Sequence, residues 1–237
     1  MNNDEQNFLS ISNLSKSFGG GKKALKRVTL QLKYSGVVGL LGPNGSGKTT
    51  LIKVLNGLYH KYTGEIEVNG KPLGVYSRKA ISYLPDEVYF SEWMFVKDIV
   101  KYFDDLYDDF DRAKAEELLE RLALMPKMKI KTLSKGMKER LQLVLVMSRK
   151  AKIYILDEPI GGVDPATREL ILEIIIQNAQ ADSLVLISTH LISDIETIFD
   201  EVIFLKEGEV LLHKNAKELV EESGKSINEI FKEEFKC

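Results

Sequence analysis

Three groups of residues in this chain have the types and spacing needed to handle a phosphorylated ligand. The first is Gly42-Pro43-Asn44-Gly45-Ser46-Gly47-Lys48-Thr49, which fits the phosphate-binding loop G-x-x-x-x-G-K-[ST]. Glycines let the backbone curl until several N–H groups point at one anion, and a helix starting at the loop adds the partial positive charge of its N-terminus. Lys48 is then placed to reach the β- and γ-phosphates and Thr49 to ligate Mg²⁺. The second group is Asp157-Glu158, adjacent carboxylates behind an apolar run. Asp157 is the expected Mg²⁺ partner, which leaves Glu158 free to act on water. The third is His190, which ends another apolar run and is able to contact a γ-phosphate. Phe18, at the start of Phe18-Gly19-Gly20-Gly21, either offers its ring to a purine base or packs as a turn aromatic.

These groups act together only if the fold brings them to one edge. Gly36-Val37-Val38-Gly39-Leu40-Leu41 reads as a buried strand, and Leu51, Val54, Leu55 and Leu58 fall at helical spacing after the loop. That is the strand, loop, helix order the motif requires. Ile153-Tyr154-Ile155-Leu156 and Leu184-Val185-Leu186-Ile187 are continuous apolar runs, as expected of strands buried on both faces of a parallel sheet. Ligands bind such α/β sheets at the carboxyl ends of the strands, where the loop, Asp157, Glu158 and His190 all emerge. Phe8 to Ile11 and Val28 to Leu32 look like strands, and Gly64 to Gly70 alternates and ends in Asn-Gly, a hairpin signal. These are expected to form a small antiparallel layer beside the nucleotide.

From about Ser77 to Lys150, after the short strand Ile81-Ser82-Tyr83-Leu84, the pattern is helical. Asp111 is placed to cap a helix carrying Ala115, Leu118, Leu119 and Leu122 that Met125-Pro126 should end. A second helix starts at Ser134. Asp164 and Pro165 open a helix that reaches Ala179, residues 202–212 form a closing hairpin, and the tail reads as one or two short amphipathic helices. The acidic cluster Asp104, Asp105, Asp108, Asp109 and Asp111 matches no dedicated cation loop and reads as a solvated helix boundary. His60 and His213 read as surface residues. The rings of Tyr89 to Phe95 either line a groove for a partner's helix or fill the helical part's core.

Lys and Arg number 33 against 35 Asp and Glu, a net charge of -2 with the signs interspersed, which predicts no nucleic-acid-binding face. Cys237 is the only cysteine, so no intramolecular disulfide can close and a reducing cytosolic setting is expected. The opening Met1 to Asn7 is polar and acidic, unlike a signal peptide, and no apolar run approaches the ~20 residues needed to span a bilayer. Any membrane role is expected through a partner.

Taken together, the phosphate loop, Leu133-Ser134-Lys135-Gly136-Met137, Ile155-Leu156-Asp157-Glu158-Pro159, Gly162-Val163-Asp164 and Ser188-Thr189-His190 make the chain resemble the nucleotide-binding subunit of an ABC transporter over about residues 8 to 215. The resemblance implies a P-loop NTPase core (8–76 and 151–215, with the β layer), a helical subdomain (77–150) and a short tail (216–237), the ABC ATPase fold. It also implies that a second cassette, this chain or a paralogue, packs head to tail so that each ATP lies between one phosphate loop and the opposite signature. On that pattern Phe18 stacks on adenine, and Gly42, Pro43, Asn44, Gly45, Ser46, Gly47, Lys48, Thr49 and Thr50 hold the nucleotide. Ser134 and Gly136 bind the γ-phosphate of the opposite site, and Asp164 lies at the seam. Lys48, Glu158 and His190 are then the catalytic set, with Glu158 polarising the attacking water, and Mg²⁺ falls to Thr49, Asp157 and Asp86. Permease subunits would take up the motion at the cytoplasmic face of the membrane. The chain looks most like bacterial exporter cassettes, for a drug, a peptide or a lipid.

Three departures stand out. Asp86 occupies a position where the family commonly has Gln, and brings negative charge toward the triphosphate. Lys135 and Met137 replace the usual Gly and Gln of the signature. Gly161-Gly162-Val163 precedes Asp164 in place of a more usual Ser-containing sequence. A soluble ABC ATPase and a weakly hydrolysing regulatory cassette are the alternative readings.

Overall fold

Two strands are buried at every position, and the rest of the chain is arranged around them. The computed structural model describes residues 8–33, 35–179 and 181–236, so the polar leader and Cys237 lie outside the described residues. Ten strands occur in chain order, β1 (Leu9–Ser17), β2 (Lys23–Leu32), β3 (Gly36–Leu41), β4 (Thr63–Val68), β5 (Lys71–Pro72), β6 (Ile81–Leu84), β7 (Ile153–Asp157), β8 (Leu184–Ser188), β9 (Glu201–Lys206) and β10 (Glu209–Asn215). The helices are α1 (Lys48–Leu55), α2 (Val75–Ala80), α3 (Val96–Leu106), α4 (Arg112–Arg121), α5 (Lys135–Met147), α6 (Pro165–Asn178), α7 (Ala216–Ser223) and α8 (Ile227–Phe235).

The main sheet has the order β10-β9-β3-β8-β7-β6. Every pairing is parallel except β10 with β9. β7 and β8 are adjacent inner strands of this sheet and are fully buried. Alternate side chains serve different cores: Ile153, Ile155, Leu184 and Leu186 pack with α1 and the second sheet, while Tyr154, Leu156, Val185 and Ile187 pack with the helical layer. An uninterrupted apolar run is the sequence form of a strand covered on both faces. The second sheet, β2-β1-β4-β5, is antiparallel. Its β4–β5 turn has Asn69 and Gly70 both at positive φ (49° and 68°), as an Asn-Gly hairpin requires.

Some local expectations move. α1 ends at Leu55, so Leu58 lies beyond it and is exposed. Gly57 at φ 67° turns the chain away first, its N–H bonding the carbonyl of Val54. α4 ends at Arg121 rather than at Met125-Pro126, because Ala123 takes a left-handed conformation (φ 55°). β6 lies at the edge of the main sheet, so the purely helical stretch begins after it. Each member of the acidic cluster has a basic partner: Asp104 with Arg112, Asp105 with Lys101, Asp108 with Lys79, Asp109 with Arg149, and Asp111 with Lys150. Arg149 is the internal tie between layers. Nearly buried, it donates to Asp109 and to the carbonyls of Ile81 (2.8 Å) and Lys79 (2.6 Å), with its guanidinium 4.0 Å from the Tyr107 ring centroid. Among the described residues, no helix is long and apolar enough to cross a membrane.

Candidate functional site

The loop between β3 and α1 keeps its shape because two of its glycines have no room for a side chain. A Cβ on Gly42 would lie 2.4 Å from the Leu205 carbonyl oxygen, and one on Gly47, at φ +112°, 2.7 Å from that of Ala24. The neighbours that crowd the loop also fix it, since the Gly208 N–H donates to the Ser46 carbonyl (2.8 Å) and the Lys26 N–H to that of Gly208 (2.8 Å). Gly45, also at positive φ, faces open space, and Pro43, Asn44 and Thr49 are exposed. Ser46 is buried, with its hydroxyl lacking a partner, and Thr50 is half-buried.

Lys48 folds back over the loop, donating to the carbonyls of Gly42 (2.6 Å) and Pro43 (3.4 Å). Burial pushes its pKa below the ordinary lysine value, while Glu158 and Asp157 pull it up. A cation in this setting is held by carbonyls and carboxylates at low solvent exposure, ready to exchange carbonyl contacts for phosphate oxygens.

β7 delivers Asp157, which is only 3% exposed. One of its oxygens accepts from the Ser188 hydroxyl on the adjacent strand, and its Oδ2 is buried with no partner. Burial raises its pKa; Ser188 and Lys48 lower it, and Asp86 and Glu158 add to the rise. A buried anionic oxygen without a donor is an unfavourable arrangement that a cation would satisfy. No cluster of three or more His, Cys, Asp or Glu forms a closed metal cage among the described residues. The donor set therefore suits Mg²⁺, which binds through one or two protein oxygens together with phosphates and waters.

Glu158 stands at φ +54°, a left-handed conformation that costs a non-glycine residue roughly 1–3 kcal/mol. Its N–H donates to the Ser188 carbonyl (2.9 Å), and its own carbonyl accepts from the Gly161 N–H (3.0 Å). That turn aims the carboxylate at His190, whose Nδ1 lies 2.9 Å from Oε2. Beside a carboxylate oxygen, the proton shared here belongs to Nδ1, and the rest of the exposed ring is left to face a ligand.

The ends of β3 and β7 thus bring Lys48, Asp157 and Glu158 to one cavity of about 560 Å³, which Phe18, Thr49, Thr50 and Asp86 also line. A neighbouring cavity of about 480 Å³ is shared by Asp157, Glu158, His190, Pro43 and Lys135. Ser134, Gly136 and Asp164 do not reach either. Ser134 caps α5, accepting from the Met137 N–H (3.2 Å), Gly136 has open space around it, and Lys135 pairs with Glu139 (3.6 Å). Asp164 caps α6, accepting from the N–H and hydroxyl of Thr167. Ser134 and Asp164 are exposed and Gly136 is half-buried.

A third cavity, of about 830 Å³, runs from Thr49 past Asp86 and Tyr83 to Tyr89, Tyr102 and Leu106. The aromatic stretch is divided between core and surface. Phe90 and Met94 pack on the core, whereas Tyr89 is exposed at the cavity and Trp93 is exposed outside it.

Some residues at the site carry no local sequence signal. Ser188 is legible only as the cross-strand partner of Asp157. Gln142, buried on α5, holds the carbonyl of Glu87, next to Asp86 (3.1 Å). Lys22, Lys23 and Lys26 line the phosphate cavity from the β layer.

Comparison with known proteins bears on the same elements. Residues 25–161 match the ABC transporter family. An ABC transporter ATP-binding protein of Methanocaldococcus jannaschii is 33% identical over 212 residues, covering 86% of this chain and 76% of that protein. A lantibiotic transport ATP-binding protein of Streptococcus pyogenes is 31% identical over 208 residues, 87% of this chain and 90% of its own. Among solved structures, an ATP-binding subunit of an ABC transporter superposes with a TM-score of 0.85 at 26% identity, covering 95% of this chain and 98% of that one. CbiO1 of Clostridium perfringens, part of an ABC transporter complex, gives 0.75 at 27% identity over 92% of each chain.

Proposed function

This chain belongs to the ABC transporter family as an ATP-binding, ATP-hydrolysing subunit, and from that premise we propose how its residues divide the work. Lys48 and the N–H groups of residues 42–49 hold the phosphates, and Phe18 stacks on the base. Thr49, Asp157 and Asp86 would hold Mg²⁺, which would supply positive charge against that of the phosphates. Glu158 accepts a proton from the attacking water, and His190 steadies Glu158 through Nδ1 with its exposed ring on the side of the γ-phosphate. The observation that carries this reading is the meeting of Lys48, Asp157 and Glu158 in one cavity at the carboxyl ends of parallel strands.

Ser134, Gly136 and Asp164 lie on the surface away from that cavity, which supports a role across an interface. A second cassette, most simply a copy of this chain, presents its signature helix N-terminus to this chain's γ-phosphate. Hydrolysis removes the group that bridges the halves and lets them separate. Permease subunits insert a cytoplasmic helix into the cavity lined by Tyr83, Tyr89, Tyr102 and Leu106, holding this chain at the cytoplasmic face of the membrane. The lantibiotic transport relative supports export of a peptide, drug or lipid as the work done.

In Glu158→Gln the base is lost and the shape kept. Phosphate release should fall about a hundredfold or more with ATP binding retained, and hydrolysis at the wild-type rate would overturn the assignment.

A further inference from the structure

One buried lysine takes no part in holding phosphate. Lys16, on β1, is 7% exposed, and no carboxylate pairs with it among the described residues. Its ammonium donates to the Lys61 carbonyl (2.6 Å) and lies 5.1 Å from the ring centroid of Phe18 and 5.2 Å from that of Tyr59. The two rings meet edge to face, with centroids 5.3 Å apart and planes at 78°. Lys53 of α1 lies over Tyr59 in turn, at 6.0 Å.

Burying an ammonium without a counter-ion is unfavourable unless other groups replace its water. Here the replacements are one carbonyl and two ring faces, and an apolar side chain would fill the same space without the desolvation. The stability of the β layer alone therefore gives no reason for a lysine. What the cation does is join three segments: β1, the turn that carries Phe18, and the connection from α1 to β4 that carries Tyr59 and Lys61. Phe18 keeps 38% of its surface exposed and lines the cavity that holds the phosphate loop.

We propose that Lys16 and Tyr59 are positioning residues for the base of the bound nucleotide, holding the Phe18 ring from behind so that its free surface is presented to a purine. The inference rests on the reading of Phe18 as the stacking residue. A ring held in advance loses no further freedom when the base arrives. A cation over one face also draws electron density from the ring and favours stacking of an electron-rich purine on the other.

The test is titration calorimetry of the full chain with Mg²⁺ and either ATP or inorganic tripolyphosphate, which has no base. Lys16→Met and Tyr59→Leu should each weaken ATP binding roughly three- to tenfold and leave tripolyphosphate binding unchanged, which also reports an intact phosphate loop. Lys16→Arg should retain most of the ATP affinity, and Lys16→Met should add nothing in a Phe18→Ala background. Wild-type ATP affinity in Lys16→Met, alongside weakened binding in Phe18→Ala, would overturn the inference and leave the stacking assignment standing. Equal weakening toward both ligands would also overturn it, because Lys16 would then act on the phosphates or on the fold. If Phe18→Ala itself binds ATP like the wild type, the stacking assignment fails and the positioning role falls with it.

Discussion

Asp157→Asn should make the chain more stable when no nucleotide or Mg²⁺ is present. Asp157 is 3% exposed, one oxygen is held by Ser188 and the other has no donor. A buried polar group left unpaired costs about 1–3 kcal/mol. Asp86 and Glu158 add repulsion, which Lys48 offsets in part. Asparagine keeps the Ser188 bond and removes the charge, but leaves an amide N–H unpaired, so the gain falls toward the lower end, about 1 kcal/mol, or a Tm higher by roughly 2–4 °C. Burial raises the native pKa of Asp157 above its ordinary value of 3.8. The native state therefore binds the proton more tightly, and the wild type is most favoured below that value and loses stability as pH rises through the raised pKa. The variant has no such loss. Its advantage should appear at neutral pH and vanish in acid. Thermal unfolding with EDTA at several pH values measures this, and saturating ATP with Mg²⁺ should reverse the order, since the wild type gains about 2.7 kcal/mol at a hundred times Kd. A variant less stable than the wild type in EDTA at neutral pH, by the same margin in acid, would refute the reasoning.

Gly47→Ala combines a left-handed φ with a Cβ 2.7 Å from a backbone oxygen, so it should cost roughly 1–3 kcal/mol in urea unfolding and weaken ATP in the same preparation. Arg149→Met strips Asp109 and two carbonyls of their donor. It should lower unfolding free energy by about 3 kcal/mol, read from the urea midpoint, with ATP affinity of the folded protein little changed.

The parts legible in the sequence were those that short-range physics dictates. β7 and β8 announce themselves because a strand covered on both faces must be apolar throughout. Ser134, Asp164 and Asp111 are legible as caps because each side chain satisfies an N–H three residues on. The end of α4 was not, since a proline marks where a helix cannot continue, while Ala123 turned left-handed sooner. The strained backbone of Glu158, the burial of Lys16 and the Ser188 bond to Asp157 depend on neighbours distant in sequence, and no local pattern encodes them. The roles proposed for Ser134 and Gly136 rest on resemblance alone, because within one chain neither lines the cavity at the phosphate loop.

The central claim is that ATP completes an interface between two cassettes and that hydrolysis undoes it. Light-scattering mass of Glu158→Gln after gel filtration, with and without ATP and Mg²⁺, tests it most directly. The account predicts the mass of one chain without nucleotide and of two with it, while the wild type returns to one chain as ATP is consumed. A variant that binds ATP yet keeps the mass of one chain at every protein concentration would contradict it.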